Sequence, residues 1–215
     1  MPETKLSTVL AIDDHPLFRK GVADLIDMEE SLMLAGEAAN GLDGLALAKR
    51  INPDLILLDI NMKGMNGIET LRAIKKENLD ARILMLTVSD NEEDVIAALR
   101  QGADGYLLKD MEPEDILRSL RRAVKGEMVI SEQLTRLLAQ ALREEEKSPQ
   151  SVVLAGLTTR EREILDQIAC GRSNKLIAQA LDISEGTVKV HVKHLLKKLN
   201  LHSRVEAAVW ALKSS

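Results

Sequence analysis

The 215 residues are 45% apolar, carry a net charge of −5 and include one Trp, one Tyr and one Phe. Such a chain can bury cores, but they must be aliphatic, and no apolar run nears the roughly 18 residues that a membrane span needs. The N-terminus MPETKLSTVLAIDD reaches acids too early for a signal peptide, and the single cysteine leaves no disulfide framework, so a cytosolic, cytoplasmic protein is expected. Charge is uneven along the chain: residues 1–130 hold 16 Lys+Arg against 24 Asp+Glu, whereas residues 151–215 hold 10 against 6. An acidic front and a basic back predict two domains with different partners.

In chain order, short apolar runs occur at 8–13 (TVLAID), 32–38 (LMLAGEA), 55–59 (LILLD), 82–88 (RILMLTV) and 105–109 (GYLLK). They are near-continuous rather than alternating, as in parallel strands covered on both faces. Between them the spacing predicts helices. One face carries Leu17, Val22, Leu25 and Ile26; the next carries Leu42, Leu45, Ala46 and Ala48. Further faces are formed by Ile68, Leu71 and Ile74, by Val95, Ile96 and Leu99, and by Ile116, Leu117, Leu120 and Val124. Strands alternating with helices predict an α/β fold with a five-stranded, doubly wound parallel sheet, which binds ligands beyond the carboxyl ends of its strands.

Residues 131–145 carry Leu134, Leu137, Leu138, Ala141 and Leu142 at helical spacing, so a connecting helix is expected; 143–151 (REEEKSPQS) reads as an exposed linker. The predicted division is 1–128, then 129–151 as connection, then 152–215. The last part is all-α, with helices at 158–170, 174–181, 185–199 and 203–213. Gly171 suits a helix C-terminus, Ser184 and Ser203 suit N-caps, and Cys170 in its apolar setting suits burial.

Asp13 and Asp14 end the first strand and Asp59 ends the third. These strands are commonly neighbours in a doubly wound sheet, which brings three carboxylates together. They repel unless a cation sits among them, and oxygen ligands select Mg²⁺ or a similar hard ion. The fourth strand delivers the hydroxyl of Thr87 and the fifth the ammonium of Lys109 to the same edge. That set suits phosphate, with Asp59 as the nucleophile accepting a phosphoryl group. A magnesium phosphatase is a second reading. Such enzymes typically carry a second aspartate two residues on as general acid, and here that position is Asn61. A third reading is a DNA-binding protein with a degenerate interaction module, against which the intact cluster argues.

With AIDDHP, LLDINM, LTVSD and GADGYLLKD on the page, residues 1–128 resemble the receiver (CheY-like) domain of bacterial two-component response regulators. The resemblance implies phosphotransfer from a sensor histidine kinase to Asp59. It implies Mg²⁺ held by the side chains of Asp14 and Asp59 and the main-chain carbonyl of Asn61, with Asp13 assisting through water. Thr87 and Tyr106 would move on phosphorylation, beside Lys109. Many receivers have Pro after the lysine; here Asp110 stands there.

In 173–200 one helix, a short break and a second helix follow each other. On the second helix Val188, Val192, Leu195 and Leu199 form a packing stripe, Lys189, Lys193, Lys197 and Lys198 lie elsewhere, and Val190 is apolar but off the stripe. Such a helix can enter the DNA major groove, and Val190 can touch a thymine methyl. LTTREREIL, SNKLIAQALDISEGTVKVHVKHLLKKL and SRVEAAVW resemble the helix-turn-helix domain of the LuxR/FixJ type. The resemblance implies Lys189, Val190 and Lys193 against bases and Ser184, Thr187 and Lys197 nearer phosphates. It also implies a double-stranded DNA operator, a homodimer through the last helix, and output through RNA polymerase. Val205, Val209 and Leu212 give that helix an apolar stripe that spacing alone allows as core or as interface. GADGYLLKDMEPED and TVKVHVKHLLKKL are similar to the nitrate/nitrite-responsive regulators of the NarL and NarP type, implying control of anaerobic respiration genes. The opposite domain charges motivate the hypothesis that the front domain covers the DNA-reading helix until Asp59 is phosphorylated.

Overall fold

The computed structural model describes residues 6–77, 79–88, 92–130 and 156–214. The connecting helix and linker expected at 131–151 lie outside the described residues. The first domain is one parallel sheet of β1 (Ser7–Ile12), β2 (Leu32–Ala38), β3 (Leu55–Asp59), β4 (Arg82–Thr87) and β5 (Gly105–Leu108), in the order β2-β1-β3-β4-β5. Five helices cover it: α1 (Pro16–Asp27), α2 (Gly41–Ile51), α3 (Gly67–Lys76), α4 (Glu92–Arg100) and α5 (Pro113–Val124).

The continuous apolar runs have a direct cause. Alternate residues of each strand point to opposite faces, and both faces are covered. Leu10, Ile12, Ile56, Leu58, Ile83 and Met85 enter one core with Ala48 of α2, Leu71 and Ile74 of α3, and Val95 and Leu99 of α4. Val9, Ala11, Leu55, Leu57, Leu84 and Leu86 enter the other with Val22 and Ile26 of α1 and Ile116 and Leu120 of α5. A fully buried side chain of this size stabilises the fold by about 1.5–3 kcal/mol.

Helix faces differ from expectation at three positions of α1 and α2. Leu17 is 87% exposed and Leu42 68% exposed, and Ala46 also faces solvent. In α2 the buried positions are Gly41, Gly44 and Ala48. A Cβ on Gly44 would lie 2.6 Å from Ile12, so glycine lets this helix approach β1 closely, while Leu45 and Leu47 pack on the same core part-buried.

The second domain packs α6 (Thr159–Ala169), α7 (Asn174–Leu181), α8 (Glu185–Leu199) and α9 (Arg204–Ser214) around Ile164, Leu165, Ile168, Ile177, Val188, Leu195 and Trp210. Local signals set its boundaries. Thr158 and Glu161 form a capping box on α6. Gly171, at φ 72°, closes α6: its N–H donates to the Ile168 carbonyl and that of Arg172 to the Gln167 carbonyl. Ser184 and Ser203 accept from the N–H groups of Thr187 and Glu206, both at 3.1 Å. Asp182 takes the left-handed conformation in the break between α7 and α8, which a short polar side chain tolerates.

Cys170 corrects the expectation of burial, since it is exposed. It caps the end of α6 two positions beyond Ile168, about 200° around the axis from that inward residue. Among the described residues no helix is long and apolar enough to cross a membrane.

Glu161 carries a testable consequence. Its carboxylate is desolvated, yet Lys198 (2.7 Å) and the N–H and hydroxyl of Thr158 outweigh burial and lower its pKa from 4.5 to about 2. A depressed carboxylate pKa stabilises the fold above the unfolded value, and that contribution fades as pH falls from 4.5 toward about 2. Glu161→Gln is therefore expected to destabilise this domain in denaturant titrations at neutral pH. The difference from wild type should shrink steadily in buffers of about pH 4 and below.

Candidate functional site

Because β1 pairs with both β2 and β3, its carboxyl end lies at the switch point of the sheet, where the crevice opens. Asp13 follows β1 directly and Asp59 ends β3; both are buried, at 2% and 1% exposure. Lys109 follows β5, its N–H donating to the Thr87 carbonyl at 2.7 Å, which fixes where the side chain starts. Its Nζ lies 2.8 Å from Asp13 Oδ2 and 2.9 Å from Asp59 Oδ2. It also sits 4.9 Å above the Phe18 ring, a cation–π contact. Neither carboxylate oxygen receives a well-aligned hydrogen bond, so the contacts are ionic. Burial pushes the Asp59 pKa up, Lys109 opposes this, and the Asp13 charge adds to the rise.

Asp14 is partly exposed beside them, with His15 Nδ1 3.0 Å from its Oδ1 and the Lys63 N–H donating to its Oδ2 at 3.2 Å. Asp14, His15, Asn61, Met62 and Lys63 line an open cleft over this edge. The loop after β3 folds tightly back: a Cβ on Gly67 would lie 2.1 Å from the Asp59 carbonyl oxygen, so only glycine fits there. Thr87 is buried at the end of β4, and Tyr106 is buried on β5 with 3% exposure.

The donor set suits a small hard cation. Asp13, Asp14, His15 and Asp59 each offer an atom, all within 4.8 Å of one another. Asp13 Oδ2, Asp14 Oδ1 and Asp59 Oδ2 all lack an aligned hydrogen-bond donor. Carboxylates so arranged fit Mg²⁺ or a similar ion.

At the other end of the molecule, α8 packs through Val188, Leu195 and Leu199, with Val192 half-buried. Lys193 and Lys197 face outward and Val190 is 53% exposed. The Ser184 hydroxyl lies 2.9 Å from that of Thr187 at the helix start. Two lysines are engaged. Lys198 bonds Glu161 within its own domain, and Lys189 pairs with Asp80 of the first domain. Between the domains lies a cleft of about 480 Å³, lined in part by Asp54, Arg82, Asp104, Lys189 and Arg204.

Residues 9–121 match the response regulator receiver domain, and residues 155–211 match the bacterial regulatory proteins of the luxR family. The nitrate/nitrite response regulator protein NarL of Escherichia coli K12 is 56% identical over 98% of this chain and 97% of its own. NarP, the nitrate/nitrite response regulator protein of the same organism, is 46% identical over 97% of this chain and 96% of its own. The crystal structure of ChrA, a response regulator in a heme-sensing two-component system, superposes with a TM-score of 0.52 at 31% identity, covering 97% of this chain and 98% of that one. The chain is a response regulator with a LuxR-type DNA-binding domain.

Response regulators of this family are transcription regulators, not enzymes. In this regulator the expected acids, Thr87 and Lys109 share one edge of the sheet, and the residues expected to face DNA lie on α8 or, for Ser184, at its N-cap. Sequence reasoning missed His15, Phe18 and Lys63 at the acidic edge and Asp80 against α8. His15 was within reach, since it follows the acidic pair directly. Phe18, Lys63 and Asp80 become visible only when distant segments are brought together.

Proposed function

We propose that this response regulator is switched by phosphorylation of Asp59 by a sensor histidine kinase and then reads a double-stranded operator. The carrying observation is the convergence of Asp13, Asp14, Asp59 and Lys109 at one strand edge. An Asp59 carboxylate oxygen attacks the phosphorus of a phosphohistidine; the new O–P bond forms as the N–P bond breaks, and the electron pair leaves with the imidazole. Asp14 and Asp59 side chains and the Asn61 main-chain carbonyl would hold Mg²⁺, with Asp13 assisting through water. When bound, this ion would neutralise charge on the transferring phosphoryl oxygens. Lys109 pairs with the product, which carries about −1.5 to −2 charge, and Thr87 donates to one of its oxygens. Tyr106 follows Thr87 inward.

In the second domain Lys189, Val190 and Lys193 face bases, and Ser184, Thr187 and Lys197 position the helix on phosphates. The division at 129–151, the homodimer through α9 and a contact with RNA polymerase belong to the same proposal, as does a cytoplasmic location. The names of the similar regulators support nitrate or nitrite as the signal; control of anaerobic respiration genes rests on the sequence resemblance alone. The Lys189–Asp80 pair supports masking, because a lysine held by the receiver is not available to a base.

The test is incubation of the full chain with acetyl phosphate and Mg²⁺. Mass spectrometry should find one phosphoryl group on Asp59, and operator binding measured in parallel should tighten. A chain that takes up no phosphoryl group, or binds equally with and without one, would refute the switch.

A further inference from the structure

The loop after β3 reaches both acids that face the cleft. The Asn61 N–H donates to Asp59 Oδ1 at 3.3 Å, and the Lys63 N–H donates to Asp14 Oδ2 at 3.2 Å. The second bond ties the ends of β1 and β3 together across 49 residues of sequence. Each acid thus gives one oxygen to the loop. The other oxygen, Asp59 Oδ2 or Asp14 Oδ1, receives no aligned hydrogen bond and is left to the pocket. Lys109 Nζ lies 2.9 Å from the first and His15 Nδ1 lies 3.0 Å from the second. Lys63 is also exposed on the open cleft over this edge, whose other lining residues are Asp14, His15, Asn61 and Met62. Lys109 lies deeper, 6% exposed and engaged by Asp13 and Asp59. Among the described residues lining the cleft, Lys63 is therefore the one lysine or arginine at the mouth.

We propose that Lys63 is a positioning residue for phosphoryl transfer to Asp59: its N–H orients Asp14 for the cation, and its ammonium draws in the anionic donor. The inference rests on the reading of Asp59 as the phosphoacceptor. Three carboxylates against one buried ammonium leave this edge anionic. A small phosphodonor is itself an anion, so it meets repulsion on the way in. A cation at the entrance lessens that repulsion and acts on the encounter more than on bond making. The N–H has a separate task. A carboxylate that must bind an ion does so better when an outer hydrogen bond already fixes its orientation. Every residue type except proline can supply that N–H. The charge and the hydrogen bond can therefore be removed one at a time.

The test uses the full chain and two readouts: calorimetric titration with Mg²⁺ alone, and the rate of phosphoryl uptake from subsaturating acetyl phosphate. Lys63→Ala keeps the N–H and removes the charge. It should bind Mg²⁺ no less tightly than wild type, yet take up phosphoryl groups about fivefold more slowly at low ionic strength. That deficit should close as salt screens the charge, and Lys63→Arg should restore the rate. Lys63→Pro removes the N–H as well and should bind Mg²⁺ about tenfold more weakly than Lys63→Ala. Should Lys63→Pro melt early, amide hydrogen exchange reads the same bond in a folded chain: Asp14→Ala should speed exchange of the Lys63 N–H. Wild-type uptake by Lys63→Ala at low salt, or a deficit that salt leaves unchanged, overturns the role of the charge. Equal Mg²⁺ affinity in Lys63→Pro and Lys63→Ala, or Lys63 exchange indifferent to Asp14→Ala, overturns the role of the N–H. A wild-type chain that takes up no phosphoryl group at any salt would instead sink the reading of Asp59, while the Mg²⁺ titrations still decide on Lys63.

Discussion

Replacing Asp59 with Asn is expected to abolish phosphoryl uptake from acetyl phosphate and to leave operator affinity at its resting level. Asn is isosteric but has no anionic oxygen to attack phosphorus, and no other carboxylate of the cluster sits at the end of β3. The variant should nonetheless fold well. Burial raises the Asp59 pKa, so its charged form is disfavoured in the folded state. The sign follows: the native state binds this proton more tightly than the unfolded chain does. Between the raised value and the ordinary carboxylate range, stability then rises as pH falls, the opposite of the Glu161 case. Asp59→Asn should be at least as stable as wild type at neutral pH and should flatten that segment of the stability curve. Thermal unfolding across pH checks the second expectation and mass spectrometry the first. Phosphoryl uptake undiminished in the variant would mean that another residue is the acceptor.

Lys109→Ala is expected to cost about 3–5 kcal/mol, because it strands two buried carboxylates without their shared cation. Asp13 and Asp59 are both within 2.9 Å of Lys109 Nζ, which is itself only 6% exposed. Two further measurements separate charge from packing. Mg²⁺ in millimolar excess should recover part of the loss, since it supplies positive charge to the same oxygens. Adding Asp13→Asn to Lys109→Ala should also recover part, by removing one of the repelling charges. A loss below about 1 kcal/mol in denaturant titrations, unaffected by Mg²⁺, would contradict the ionic reading of the pocket.

Much of the molecule was legible in the sequence for identifiable reasons. Strands buried on both faces must be apolar at every position, and each of the five runs could be read as a strand to within a residue or two. Asp13, Asp14, Asp59, Thr87 and Lys109 stood out because each sits where a strand ends. Helix boundaries in the second domain followed from Gly171, Ser184 and Ser203, whose side-chain or backbone chemistry acts within a few residues. Helix faces were less legible. In α2 the apolar spacing pointed to Leu42 and Ala46, but close approach to Ile12 demanded glycine. Cys170 misled because apolar neighbours say little about a residue at a helix end.

By itself the sequence determined the two-domain division of charge, the doubly wound sheet, the acidic edge and the cationic second helix of the DNA-binding domain. All of these depend on periodicity and on interactions within a few residues or between adjacent strands. Only the tertiary structure decided which partner each surface has. It set Lys109 between Asp13 and Asp59, Lys189 against Asp80, and Val205, Val209 and Glu206 against the receiver. The physical reason is that an apolar stripe or a lysine specifies only that it will be buried or paired. Which distant group does so depends on how the two domains meet.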